Sequence, residues 1–362
     1  MTLPVLLTNW KLASHYKTSA ILTLFIDLRN TISATVFEVL YNSGYVLNLY
    51  RLSHSLKRFF SRSRNEYNLM AYISIWIEAA RLRTLPAAVV PVLTGAALAW
   101  NHGGFHTGVT FAAIGCALLI QVATNFANDY FDYVKGADND DRVGFTRASS
   151  SGLISPDMML KAAILTFGLA FLLGLYLVWV GGWIILLIGV ASILSGLAYT
   201  GGPFPLAYNG LGDLFVFIFF GIIAVTGTYY VNVLEWSYEA FVISLAIGAL
   251  ATNILVVNNL RDVETDARSN KNTLGVLFGE RFLKTEYALM LVLAYAIPLW
   301  LLLSGDYSGW VLLPFISLPV ALLLYRSLLT ISDKSLLNPH LGRTAQLMAL
   351  FGILLSAGIV IG

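Results

Sequence analysis

The chain has 362 residues, 57% of them hydrophobic and only 12% charged, with a net charge of +2. Soluble domains carry about a quarter charged residues, so this composition excludes a water-coated enzyme and leaves lipid as the solvent for most of the chain. Near-neutrality without a long basic run excludes a nucleic-acid partner, and the single cysteine, Cys116, excludes an internal disulfide. The five histidines lack ligand spacing, which argues against a zinc site.

Residues 1–70 are more polar than the rest, with Asp27, Arg29 and Glu38 interrupting the apolar stretch and a basic cluster at Arg51, Lys57, Arg58, Arg62 and Arg64. They read as an N-terminal extension without an assigned role, suited to a membrane surface rich in anionic lipid. Residues 71–362 read as the transmembrane domain.

A hydrocarbon core of about 30 Å needs roughly twenty apolar residues per helix. Candidate runs fall at 84–100, 108–131, 158–179, 182–199, 212–231, 239–259, 283–303, 309–327 and 342–361. The expected fold is therefore an all-α membrane protein of about nine transmembrane helices, with short loops making successive helices antiparallel neighbours. Every Lys and Arg beyond residue 70 falls on one set of alternate loops or helix ends, from Arg81 to Arg343, and the opposite loops carry only Glu235, Glu239 and Asp306. The positive-inside rule puts the basic side in the cytoplasm and the protein in the cell (inner) membrane.

Carboxylates near membrane helices are costly and call for a functional reason. In NFANDYFDYVKGAD, at the basic end of the second run, Asn125, Asp129 and Asp132 are spaced i, i+4, i+7 on one face, with Asn128 beside them and Asp138 following. In NNLRDVETD, at the end of the sixth, Asn258, Asp262 and Asp266 are spaced i, i+4, i+8. Both runs descend in the same direction, which hints at two similar halves whose acidic faces oppose each other across a cavity open to the cytoplasm. Five converging aspartates need cations, and Mg²⁺ fits because it prefers carboxylate oxygen and shares its remaining sites with water and phosphate. Lys135, Arg261 and Lys271 beside the motifs would nearly balance the charge once two Mg²⁺ ions and a diphosphate are added.

These motifs resemble the UbiA superfamily of intramembrane aromatic prenyltransferases, whose first motif reads NDxxD with a further Asp and whose second reads DxxxD. The matching residues are Asn128, Asp129, Asp132 and Asp138, then Asp262 and Asp266. Longer strings extend the resemblance over roughly 75–362: ARLRTLPAAVVPVLTG from Ala80, SGLISP from Ser151, YTGGPFPLAYNGLGD from Tyr199 and NNLRDVETDARSNKNTLGV from Asn258. They look like the branch whose acceptor is 1,4-dihydroxy-2-naphthoate. The six-residue step from Asp132 to Asp138 is similar to that branch, whereas the superfamily at large has a four-residue step, where Gly136 stands here. Phe145 stands where proline would be expected.

The resemblance implies a UbiA-like bundle around a central cavity, in which a polyprenyl group passes from its diphosphate to the naphthoate with loss of CO₂. Asp129, Asp132, Asp262 and Asp266 would be catalytic and, with Asp138, hold Mg²⁺. Asn125, Asn128, Lys135, Asn258, Arg261 and Lys271 would bind the diphosphate. Arg83, with Arg81, would take the acceptor's carboxylate or the diphosphate, with positive-inside anchoring as the alternative. Tyr199 would face the allylic cation, as Phe131, Tyr229 and Tyr230 also could, with packing between helices as the alternative for each. Other acceptors remain open: 4-hydroxybenzoate, homogentisate, or a naphthoate paired with a phytyl donor. A cation-coupled transporter is the alternative from another class, but its acids would sit near the midplane on broken helices, not at helix ends beside Lys and Arg.

Overall fold

The computed structural model describes residues 72–136 and 147–362. The extension expected over 1–70 and the aspartate at 138 lie outside the described residues. Ser74–Gly362 form one compact unit. Its helices are α1 (Pro86–Asn101), α2 (Thr107–Val134), α3 (Pro156–Gly181), α4 (Trp183–Ala198), α5 (Gly212–Val233), α6 (Tyr238–Arg268), α7 (Leu274–Ser304), α8 (Leu318–Thr330) and α9 (Leu337–Ile361). No strand occurs among the described residues.

Each expected apolar run is helical, but fewer than nine of the helical segments among the described residues are long and apolar enough to cross a membrane by themselves. Among the described residues seven meet that test, and an eighth arises if α1 is joined to Tyr72–Thr84, which meets it at 50°. The shortfall is α4: Gly182, at φ 73°, opens it and Tyr199 closes it after 16 residues. At 1.5 Å per residue that is about 24 Å, less than the hydrocarbon core. Gly182 takes a backbone conformation that residues with a Cβ adopt only under strain, which permits the tight α3–α4 turn. Trp179 and Trp183 flank that turn, 82% and 69% exposed, as interfacial aromatics do.

The two helices that carry the acidic motifs are longer than expected. α2 has 28 residues and α6 has 31, about 42 and 46 Å. Each therefore projects beyond the apolar layer, and the acids ride on the projecting turns. Ser237 caps α6 by accepting from the Ala240 amide at 3.1 Å, with Glu239 in the first turn.

α6 is the inner helix of the unit and is buried on nearly every side, because Ala240, Ala246, Gly248, Ala249 and Ala251 let neighbours approach closely. At its crossing with α5, a Cβ on Gly221 would lie 2.5 Å from the Gly248 Cα. Contact between backbones of this kind is how membrane helices associate where lipid tails remove the hydrophobic drive. One core gathers Ile243, Leu250, Leu283, Tyr287 and Phe351 from α6, α7 and α9. A second joins Ala123, Phe126, Met159 and Phe167 between α2 and α3. The outer face of α3 shows Leu165, Leu172 and Trp179, an apolar surface that lipid covers.

Candidate active site

The first motif occupies the last three turns of α2, and each polar side chain there has a distinct tether. Asn125 donates through Nδ2 to the Ala80 carbonyl at 3.0 Å and to Thr84 Oγ1 at 3.4 Å. Asn128 Oδ1 accepts from Thr200 Oγ1 at 2.8 Å. The Asp129 carboxylate accepts from the Ser149 and Ala148 amides at 3.0 and 3.1 Å, so it holds the turn 147–151 against the helix. Asp132 accepts from Arg147 Nη2 at 3.2 Å and from the Tyr208 hydroxyl at 3.0 Å. Lys135 donates to the Thr200 carbonyl and lies 4.5 Å from the centre of the Tyr208 ring. Desolvation holds its ammonium below the ordinary lysine range; Asp132 opposes that shift and Lys271 adds to it.

The second motif sits on the final turns of α6. Arg261 grips Asp262 through Nε at 2.7 Å and Nη2 at 2.6 Å, and its other donors reach Asn258 at 2.8 Å and Asn338 at 2.9 Å. Asn338 stands at the start of α9, where Lys334 also donates to the Leu260 carbonyl at 3.2 Å. The end of α6 is thereby pinned to α9. Asp266 pairs with Lys271 at 3.6 Å, and the Lys271 ammonium lies 5.5 Å from the centre of the Tyr208 ring.

Tyr208 joins the two motifs. Its hydroxyl binds the acid of α2, its ring carries the lysine that follows each motif, and its carbonyl accepts from the Asn272 amide at 3.1 Å. The 3-10 turn Leu206–Tyr208 that presents it ends the Gly- and Pro-containing loop after α4.

Beside this joint lies a cavity of about 360 Å³. Its polar wall includes Arg81, Asn125, Asn128, Asp132, Arg147, Tyr199, Asp213, Asn258, Asn259 and Lys271, and its much larger apolar wall comes from α2, α3, α4 and α5, with Phe219, Phe220 and Ile223 from a π-helical turn in α5. Asp129, Lys135, Arg261, Asp262 and Asp266 stand outside that wall. Arg83 also lies outside it and is exposed, whereas Arg81, at φ 55°, lines it. Of the four aromatic candidates, Tyr199 lines the cavity while Phe131, Tyr229 and Tyr230 do not. Burial, then the charges of Asp213, Asp132 and Asp266, push the Tyr199 phenol far above its usual range, with Arg81 opposing. Tyr199 therefore stays neutral and is an aromatic wall, not a base.

Among the described residues no three acids, histidines or cysteines gather closely enough to hold one ion. Each motif acid has its own partners instead: two amides for Asp129, Arg147 and Tyr208 for Asp132, Arg261 for Asp262, Lys271 for Asp266. The donors facing the cavity from both helices are nevertheless carboxylate and amide oxygens, the hard set that suits Mg²⁺.

Sequence reasoning did not single out Arg147, Thr200, Tyr208, Asp213 or Asn259. Arg147 counted only as a loop cation. Tyr208 and Asp213 fall within YTGGPFPLAYNGLGD, where no periodicity or charge pairing marks them; a carboxylate within the run 212–231 was the one available signal.

Residues 88–341 match the UbiA prenyltransferase family. The chain is 39% identical over 255 residues to the 1,4-dihydroxy-2-naphthoate octaprenyltransferase of Mycobacterium tuberculosis, covering 70% of this chain and 85% of that one. It is 36% identical over 292 residues to the protein of the same name from Escherichia coli, covering 78% and 94%. A UbiA homolog from Aeropyrum pernix superposes with a TM-score of 0.59 at 14% identity, over 76% of this chain and 97% of that one. A UbiA homolog from Archaeoglobus fulgidus bound to DMAPP and Mg²⁺ superposes at 0.50 and 15% identity, over 76% and 98%. At such identity the structural likeness is one of fold.

Proposed function

The chain belongs to the UbiA prenyltransferase family, and from that premise we propose that it transfers a polyprenyl group from a polyprenyl diphosphate to 1,4-dihydroxy-2-naphthoate, releasing CO₂ and diphosphate and giving demethylmenaquinone. The acceptor follows from the relatives' shared name and from the length over which they match. The observation that carries the chemistry is the junction at Tyr208, where two acid-bearing helix ends and two lysines meet beside a largely apolar cavity.

Asp132 and Asp266, with the amide oxygens of Asn128 and Asn258, are the first residues that would hold Mg²⁺, and Asp129, Asp262 and Asp138 complete the set. Bound there, Mg²⁺ supplies a Lewis acid for the charge that develops on the leaving diphosphate. Lys271 and Arg147, which line the cavity, would share that charge from fixed positions, while Lys135 and Arg261, outside its wall, would support it from behind. The apolar wall excludes water that would capture the allylic cation, and Tyr199 offers it an aromatic face. Arg81 lines the cavity and would meet the acceptor's carboxylate there, a role less suited to the exposed Arg83 outside the wall. The gathering of Lys and Arg on the motif side supports a cytoplasm-facing site in the cell (inner) membrane.

Membranes carrying the protein are expected to join 1,4-dihydroxy-2-naphthoate to a polyprenyl diphosphate, to stop on EDTA and to resume on Mg²⁺. A panel of hydroxylated aromatic acceptors in the same assay tests the acceptor. Faster turnover of 4-hydroxybenzoate or homogentisate would overturn the naphthoate assignment, and undiminished turnover in EDTA would overturn the metal.

A further inference from the structure

Asp213 differs from every acid of the two motifs. It is 4% exposed, it lines the cavity, and among the described residues no cation lies within ion-pair distance of it. Its carboxylate oxygens accept from Asn259 Nδ2 at 3.2 and 3.4 Å, a long shared contact. A buried carboxylate held by one side-chain amide and its own backbone N–H keeps lone pairs directed elsewhere, and here the space beside it is the cavity. It also lies apart from the leaving-group machinery: Asp132 and Asp266 carry Arg147, Tyr208 and Lys271 as partners, while Asp213 carries none of these. Tyr199 stands between, within electrostatic reach of Asp213, Asp132 and Asp266, and its hydroxyl packs on Gly212. The cavity thus has a cation-rich side, where a diphosphate fits, and a basic oxygen on α5 facing the same space.

We propose that Asp213 is the general base that takes the proton from a ring hydroxyl of the acceptor, with Asn259 as the positioning residue that aims it. The inference rests on the proposed function. In the step, the acceptor's O–H bond breaks and its proton passes to Asp213. The aryloxide raises the electron density of the ring carbon, which forms the new bond to the allylic carbon. The carbon–oxygen bond to diphosphate breaks, and that electron pair leaves on the diphosphate. The ring carbon then loses its carboxylate as CO₂, the pair from that carbon–carbon bond restores the aromatic ring as an aryloxide, and the aryloxide takes the proton back from Asp213. Aryloxides are far better carbon nucleophiles than phenols, and a positioned base contributes about 10²–10⁴-fold to such a step. Neutral Tyr199 and the half-buried Glu286, which feels the charge of Asp213, also lie within electrostatic reach of this carboxylate.

The test compares wild type, Asp213→Asn and Asp213→Glu in membranes, with kcat and the KM of each substrate measured separately. Asp213→Asn is expected to lower kcat by about 10²-fold or more, with the KM for polyprenyl diphosphate within about threefold of wild type, while Asp213→Glu retains most of the rate. Acceptor analogues bearing electron-withdrawing groups, whose hydroxyls ionise more readily, are expected to recover much of the loss in Asp213→Asn. A structural role would not produce that rescue. Asp213→Asn with wild-type kcat, or with a loss that is equal for all acceptors, would overturn the proposal. Loss of donor binding in both variants would do the same by showing the residue to be structural. Failure of the wild-type protein to prenylate the naphthoate would count against the proposed function instead, since it does not involve the variants.

Discussion

Tyr208 does three things with one side chain. Its hydroxyl holds Asp132, its ring seats Lys135 and Lys271, and its backbone ties to the segment after α6. Tyr208→Phe removes only the first. A hydrogen bond to a charged group contributes about 1.5–3 kcal/mol, so the variant is expected to lose roughly 10- to 100-fold in kcat/KM at limiting Mg²⁺ and less at saturating Mg²⁺. Tyr208→Leu also removes the ring and is expected to raise the donor's KM further. Steady-state kinetics across a Mg²⁺ titration check both, and a Tyr208→Phe variant indistinguishable from wild type would remove the junction from the mechanism. At this scale the sequence was informative about acids and silent about their partners. Asp129, Asp132, Asp262 and Asp266 stand out by helical spacing, because spacing is a local property. Arg147, Thr200 and Tyr208 reach the motif from 15, 72 and 76 positions away, and no pattern along the chain encodes a contact of that separation.

Among elements, the α5–α6 crossing decides whether the cavity wall and the second motif keep their relative placement, since Asp213 rides on one helix and Asn259 on the other. A methyl group on Gly221 would meet Gly248 backbone, which cannot move aside as a side-chain tip can. Gly221→Ala is therefore expected to destabilise the detergent-solubilised protein by about 1–3 kcal/mol, read as a lower Tm, with activity falling alongside it. Gly168→Ala on α3, where a Cβ meets nothing within 4 Å, should leave Tm unchanged or slightly raised. Equal Tm for wild type and Gly221→Ala would show that the crossing has slack. Element positions were largely legible: all nine apolar runs are helices. Their lengths were not. α6 runs nine residues past its apolar window, because polar residues continue a helix as readily as apolar ones once neighbours hold them, whereas Gly279, at φ 83°, breaks the helical course of α7 shortly before its own window and α4 is cut short by the glycine turn before it.

For the whole molecule, topology follows from the sorting of charge. Cys116 is buried, so engineered cysteines report on exposed loops with little background. Glu235→Cys, between α5 and α6, is expected to react with a membrane-impermeant maleimide in intact cells. Ser332→Cys, between α8 and α9, should react only after permeabilisation. The reverse pattern would invert the orientation and put the candidate site on the outer face.

By itself the sequence determined the solvent, the helical class, the division into alternating basic and acidic loops, and the two helix ends that bear acid, because composition, periodicity and charge sorting are all written in consecutive residues. Only the tertiary structure decided that Tyr208 bridges those ends, that Arg81 and not Arg83 faces the cavity, and that Asp213 stands in its wall without a cation. Each of these depends on which helix faces come together, and packing sets that by shape and backbone approach between segments far apart in the chain.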